Sequence, residues 1–87
     1  MVRTFLVYGS KSVAMTIAVH AQPGDTFTAN NVWDWLGPDA ELEHPNGTMG
    51  GAFGIVKRRR IAVPTGDIMQ STHPTRKRGM VRVWRFL

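Results

Sequence analysis

The tightest constraint on this 87-residue chain is how often it is interrupted. Gln22-Pro23-Gly24-Asp25, Gly37-Pro38 and Pro64-Thr65-Gly66 each place proline or glycine where a helix cannot continue comfortably. The pieces between these breaks suit only short helices and strands, and those must share one core. The chain holds a single domain, residues 1–87, of a length that folds without staples. It shows neither repeats nor a low-complexity linker.

Residues 10 to 21 read as a first helix, because Val13, Ile17 and Ala21 recur four apart with Ala14 and Ala18 alongside. Ahead of it, residues 1–9 are open to two readings, an N-terminal arm or a strand over Thr4-Phe5-Leu6-Val7-Tyr8. The second helix has the best-specified start. Thr28 is a good N-cap, Asn31 stands at the third helical position, and Phe27 can pack on Val32 as a hydrophobic staple. Val32, Trp33, Trp35 and Leu36 then form an apolar surface that stops at Gly37-Pro38. The two tryptophans suit core packing, and being two residues apart they point to different sides.

A third helix is expected from Thr48, read as its cap. Met49, Ala52, Phe53, Val56 and the stem of Arg60 follow the spacing of a buried stripe. Gly47, Gly50, Gly51 and Gly54, then Lys57 and Arg58, fall on the other side. Each glycine inside a helix costs about 1 kcal/mol relative to alanine. Two explanations stand: the backbone approaches a partner closely there, or the helix begins nearer Ala52. Beyond it, Ile61-Ala62-Val63, a turn at Pro64-Thr65-Gly66, and Asp67-Ile68-Met69 lead through a Ser, Thr and Pro-rich stretch to Met80-Val81-Arg82-Val83-Trp84-Arg85-Phe86. That last segment has the β-branched and aromatic content of a strand. The expectation is a long hairpin with basic tips.

Charge divides the chain. Residues 1–50 carry two basic and five acidic residues, net minus three, whereas residues 51–87 carry nine basic and one acidic, net plus eight. Two runs dominate, Lys57-Arg58-Arg59-Arg60 and Arg76-Lys77-Arg78. A clustered positive field of this kind attracts polyanions.

Other classes find little support. Without cysteine there is no disulfide framework and no thiolate metal site, and His20, His44 and His73 are scattered. No metal or other cofactor is expected. The apolar stretch Val13-Ala14-Met15-Thr16-Ile17-Ala18-Val19 is short and broken by Thr16, so it is not read as a signal peptide, and no run approaches the roughly 20 apolar residues of a membrane span. A cytoplasmic protein is the default expectation. Catalysis needs a nucleophile with a base, paired carboxylates or a metal cluster. Asp39, Glu41 and Glu43 beside His44 read instead as a solvated acidic turn, and the glycines before the basic run lack the Lys-Ser or Lys-Thr ending of a phosphate loop. The chain is expected not to be an enzyme.

The order of elements, with Thr26-Phe27-Thr28-Ala29-Asn30-Asn31-Val32-Trp33, Met49-Gly50-Gly51-Ala52-Phe53, Lys57-Arg58-Arg59-Arg60-Ile61, Pro64-Thr65-Gly66, Ser71-Thr72-His73-Pro74 and Val81-Arg82-Val83-Trp84-Arg85, resembles a group of small winged helix-turn-helix proteins encoded by actinobacterial phages. The resemblance covers nearly everything after residue 10. It implies an α+β fold, a three-helix core with a C-terminal β-hairpin wing and a short first strand at Thr26-Phe27-Thr28, and double-stranded DNA as ligand. It further implies that Thr48, Gly50, Gly51, Gly54, Lys57 and Arg58 face the groove, and that Ser71, Thr72, His73, Thr75, Arg76, Lys77 and Arg78 reach an adjacent groove or flanking phosphates. Residues 37 to 47 exceed the three or four residues of a compact helix-turn-helix turn, and the third helix lacks the Arg, Asn or Gln side chains that read base edges. A homodimer built on the N-terminal arm or on exposed aromatics is compatible with paired half-sites. The alternative reading is a protein-interaction module that docks on a host or phage protein through the glycine-faced helix.

Overall fold

The computed structural model describes residues 6–44, 47–70 and 79–87. They form, in chain order, β1 (Leu6–Tyr8), α1 (Ser10–Val19), β2 (Thr26–Phe27), α2 (Ala29–Leu36), β3 (Ala40–Leu42), α3 (Thr48–Arg58), β4 (Ala62–Gln70) and β5 (Met80–Phe86). The architecture is α+β: three helices against a three-stranded antiparallel sheet of order β2-β5-β4, with β1 and β3 in a separate parallel pair.

α1 follows the expected stripe only in part. Val13, Ala14 and Ile17 are buried, but the helix stops at Val19 and leaves Ala18 and Ala21 exposed. Its last turn tightens into short bonds from the His20 and Ala21 N–H groups to the Ile17 and Ala18 carbonyls. The His20 ring also donates from Nδ1 to the Thr16 carbonyl (2.9 Å), closing an end that would otherwise be open to water.

α2 begins as the residues dictate. The Thr28 hydroxyl accepts the Asn30 N–H (3.2 Å), while Asn31 Oδ1 accepts the Thr28 N–H (2.9 Å), a reciprocal capping box. Thr28 is buried, and Phe27 just before it sits at the centre of an aromatic cluster. The Phe27 ring lies 4.4 Å from Phe86, 5.7 Å from Trp35 and 5.8 Å from Phe53, so one side chain ties β2 to β5, α2 and α3. Phe53 in turn meets Trp84 at 4.8 Å, and Trp35 stacks on His20 at 4.3 Å. Both helix-2 tryptophans are half-buried against the core. Among the described residues the Phe, Trp and Tyr side chains are all buried or half-buried.

The sheet faces this cluster by strand period. Phe27 and Pro64 oppose Trp84, and Ala62 opposes Phe86, so these residues share the inner face. The expected turn at Pro64-Thr65-Gly66 is not a turn. β4 runs through it, and the register with β5 shifts between Pro64 and Ile68. Two features absorb the extra residues as a bulge: Gly66 takes φ +92°, and the Thr65 hydroxyl donates to the Val83 carbonyl (3.0 Å) while accepting the Asp67 N–H (3.1 Å). The expected basic tip at Arg76, Lys77 and Arg78 lies outside the described residues.

The long segment between α2 and α3 has a structural use. Its backbone needs partners, and it finds them in the chain's own start: Leu6 pairs with Ala40, Val7 with Glu41 and Tyr8 with Leu42, after which the Glu43 N–H donates to the Tyr8 carbonyl (2.8 Å). Of the two readings for residues 1–9, positions 6–8 are a strand. Among the described residues no buried side-chain nitrogen or oxygen lacks a hydrogen-bond partner.

Replacing Thr28 by alanine removes one cap bond at a buried site. The expected cost is about 1 kcal/mol, or roughly 4–8 °C in Tm for a domain of this size. Thermal melting followed by circular dichroism measures it, and an unchanged Tm contradicts the capping account.

Candidate functional site

α3 presents two different faces. Met49, Ala52 and Val56 are buried and Phe53 half-buried, so the stripe expected from the sequence packs inward. Arg60 does not extend that stripe: it lies beyond the helix end and is exposed. The helix begins at Thr48 itself, with Gly47 as N-cap, so Gly50, Gly51 and Gly54 are helical and the alternative of a start near Ala52 is set aside.

Thr48 departs from both of its expected roles. It is not the cap, and at 2% exposure it cannot face a groove. Its hydroxyl accepts the His44 N–H (2.8 Å), and its carbonyl accepts the Ser10 hydroxyl (3.0 Å), so it is fastened between the preceding loop and the start of α1.

The glycines separate by environment. A Cβ on Gly51 would collide with the Ser10 hydroxyl and come within 3.1 Å of the Ser10 Cβ. Gly51 is therefore spent on close packing between α1 and α3 inside the molecule, not on a partner. All three are exposed, but Gly50 and Gly54 differ in that a Cβ on either meets nothing within 4 Å. They leave a strip of bare helix backbone facing outward. Lys57 and Arg58 continue that strip toward the helix end, where cations also suit the macrodipole.

The end of α3 is built to hold its basic run in place. The Arg60 N–H donates to the Lys57 carbonyl (3.1 Å) and the Ile61 N–H to the Val56 carbonyl (3.0 Å), a Schellman closure with Arg60 at the left-handed position, φ +55°. Glycine is the usual occupant there, and an arginine costs about 1 kcal/mol in backbone strain. Lys57, Arg58, Arg59 and Arg60 are all exposed, and none lies within ion-pair distance of a carboxylate among the described residues. The one contact of that kind among the described residues joins His44 Nε2 to Glu43 Oε1 at 3.9 Å, an ion pair only when the imidazole is protonated.

Of the residues expected at the site, Gly50, Gly54, Lys57 and Arg58 share the outward side of α3. Gly51 lies at its α1 edge and Thr48 inside. Ser71, Thr72, His73, Thr75, Arg76, Lys77 and Arg78 lie outside the described residues. Lys11 and Arg59 were not among the residues expected to face DNA, although Arg59 belongs to the basic run. Together with Ile55 and Arg58 they line an open depression of about 390 Å³ between α1 and the end of α3. A lone lysine in a first helix carries no sequence signal; only the Ser10–Gly51 contact brings it beside the basic run.

Among the described residues no group of three or more His, Asp or Glu side chains that could hold a metal ion is found, so Asp39, Glu41, Glu43 and His44 do not assemble into one. No helix of the described residues is long and apolar enough to cross a membrane. No protein-family model, curated protein or solved structure matches this chain.

Alanine substitutions separate the three helical glycines. Gly50→Ala and Gly54→Ala are each expected to stabilise the fold by about 0.5–1 kcal/mol, since nothing obstructs the new methyl group. Gly51→Ala is expected to destabilise it, because overpacking costs about 1–3 kcal/mol and exceeds the helix gain. Urea titration of the three variants reads the signs directly; a stabilised Gly51→Ala overturns the close-packing role.

Proposed function

We propose that this chain is a winged helix-turn-helix protein that binds double-stranded DNA, with α3 as the element laid against the duplex. Three features support the winged-helix reading: helices α1, α2 and α3 precede the β4–β5 hairpin, the short β2 between α1 and α2 joins the sheet, and the strand order is β2-β5-β4. The observation that carries the ligand is the outward side of α3, where open backbone at Gly50 and Gly54 adjoins the exposed cations Lys57 and Arg58.

The chemistry follows from that surface. Bare backbone permits close approach to a groove wall, while Lys and Arg supply contacts to phosphates, which position a protein without reading sequence. α3 offers no Asn or Gln, and its arginine stands at the final position, so direct base readout by the helix is weak. Selectivity would come from DNA shape, such as a narrowed minor groove that attracts arginine, or from the hairpin segment 71–78. Such a protein fits a phage regulatory, replication or recombination accessory role in the host cytoplasm.

A second reading rests on the same glycine pair. Gly50 and Gly54 stand four apart with open space above both, and a partner helix could pack there closely. Charge discriminates, since neutralising Arg76, Lys77 and Arg78 weakens a DNA binder and leaves a docking module on α3 unaffected.

Fluorescence anisotropy of a labelled duplex at several salt concentrations tests the reading. With about five phosphates neutralised, log affinity is expected to fall against log salt with a slope of roughly −4 to −5. A slope near zero, or no binding at low salt, removes the electrostatic account and favours a protein partner.

A further inference from the structure

The depression between α1 and the end of α3 is not explained by stability. Its wall holds Lys11, Arg58 and Arg59 around the half-buried Ile55, and no carboxylate among the described residues pairs with any of the three cations. Arg58 stands in the last turn of α3, where the helix dipole favours a positive charge. Lys11 stands at the opposite kind of end. It occupies the first turn of α1, which has no acidic residue and no side-chain cap, so its charge adds to the positive pole of that helix. Three like charges thus converge on one recess, one of them against its own helix dipole. All three are exposed, so solvent and salt soften the repulsion without reversing it.

The convergence is imposed by packing. Gly51 admits Ser10 against α3, and the Ser10 hydroxyl is fastened to the Thr48 carbonyl (3.0 Å), which fixes where the next residue, Lys11, must stand. Along the same edge of α3, Ile55 follows Gly51 by four residues, and Arg58 and Arg59 follow by seven and eight, the spacing of one helix side. The strained backbone at Arg60 closes the helix immediately after them.

We infer that this recess is a phosphate-binding site in which Lys11, Arg58 and Arg59 hold a backbone phosphate of the duplex. An anion there cancels the mutual repulsion, guanidinium groups can clasp it through two parallel hydrogen bonds, and the lysine adds a compact charge. Ile55 gives the neighbouring sugar an apolar floor. The inference rests on the DNA-binding reading. It adds a contact from α1, on the edge of α3 away from Lys57, so that phosphates are gripped on both sides of the glycine strip.

The test compares duplex binding by the full chain and by the Lys11→Gln/Arg59→Gln double variant across salt. The double variant is expected to reduce the magnitude of the salt slope by about one, the loss of one phosphate contact, whereas Arg85→Gln, a charge loss on the outer sheet face, leaves it unchanged, and Lys11→Arg retains the parental slope. If the parent binds duplex and the double variant keeps its slope, the recess is not a contact, while the DNA-binding reading survives. Inorganic phosphate gives an arm that is independent of duplex. Titrated into isotope-labelled protein, it is expected to shift the amide signals of residues 11, 55, 58 and 59. Those shifts support a phosphate site even if duplex fails to bind, in which case the DNA-binding reading falls and the source of the phosphate with it. Their absence overturns the site.

Discussion

The contact between Ser10 and Gly51 governs the arrangement of the charged surface. A side chain at position 51 would push α1 away from α3, yet with hydrogen there the two helices close until the Ser10 hydroxyl reaches the Thr48 carbonyl. Core residues Val13, Ile17, Ala52 and Val56 are then sealed from solvent at 0% exposure. The same approach turns Gly50 and Gly54 outward and carries Lys11 to the basic end of α3. Packing inside the molecule and charge on its surface are therefore set by one pair of small residues.

Phe27 plays the matching part for the sheet. Because β2 is only two residues long, its own ladder is a weak fastening; the aromatic stack around Phe27 makes it part of the core. Its neighbour Thr28 starts α2 at once, so the helix–sheet junction has no slack. The parallel pairing of β1 with β3 secures the remaining long segment, between α2 and α3, by using the chain's start as its partner.

Local chemistry was legible where it is self-contained. The cap at Thr28, the stop at Gly37-Pro38 and the strand from Met80 could be read because each depends on residues within a few positions. The misreadings come from partners that the local pattern does not name. Thr48 reads as a cap, but the His44 N–H four residues earlier claims its hydroxyl and Ser10 of α1 bonds to its carbonyl; Pro64-Thr65-Gly66 reads as a turn, but pairing with β5 keeps the strand going through a bulge; Arg60 fits the helical period, but the helix closes just before it. The glycine run was ambiguous for the same reason. Gly51 answers to Ser10 of α1, forty-one residues earlier, whereas a Cβ on Gly50 or Gly54 meets nothing within 4 Å among the described residues.

Strain and charge point the same way. An arginine at a left-handed position and a lysine at the positive end of α1 both act against stability, and both stand near the basic end of α3. The proposed anion binding by that surface would account for them together. The most direct test is amide mapping: a short duplex titrated into isotope-labelled protein at low salt, with the glycine signals of residues 50 and 54 followed individually. The account expects those two amides to shift together with Lys57 and Arg58, while the outer side of α1 at Met15 and Val19 stays unmoved. Shifts confined to that α1 surface, with Gly50 and Gly54 unaffected, would contradict it.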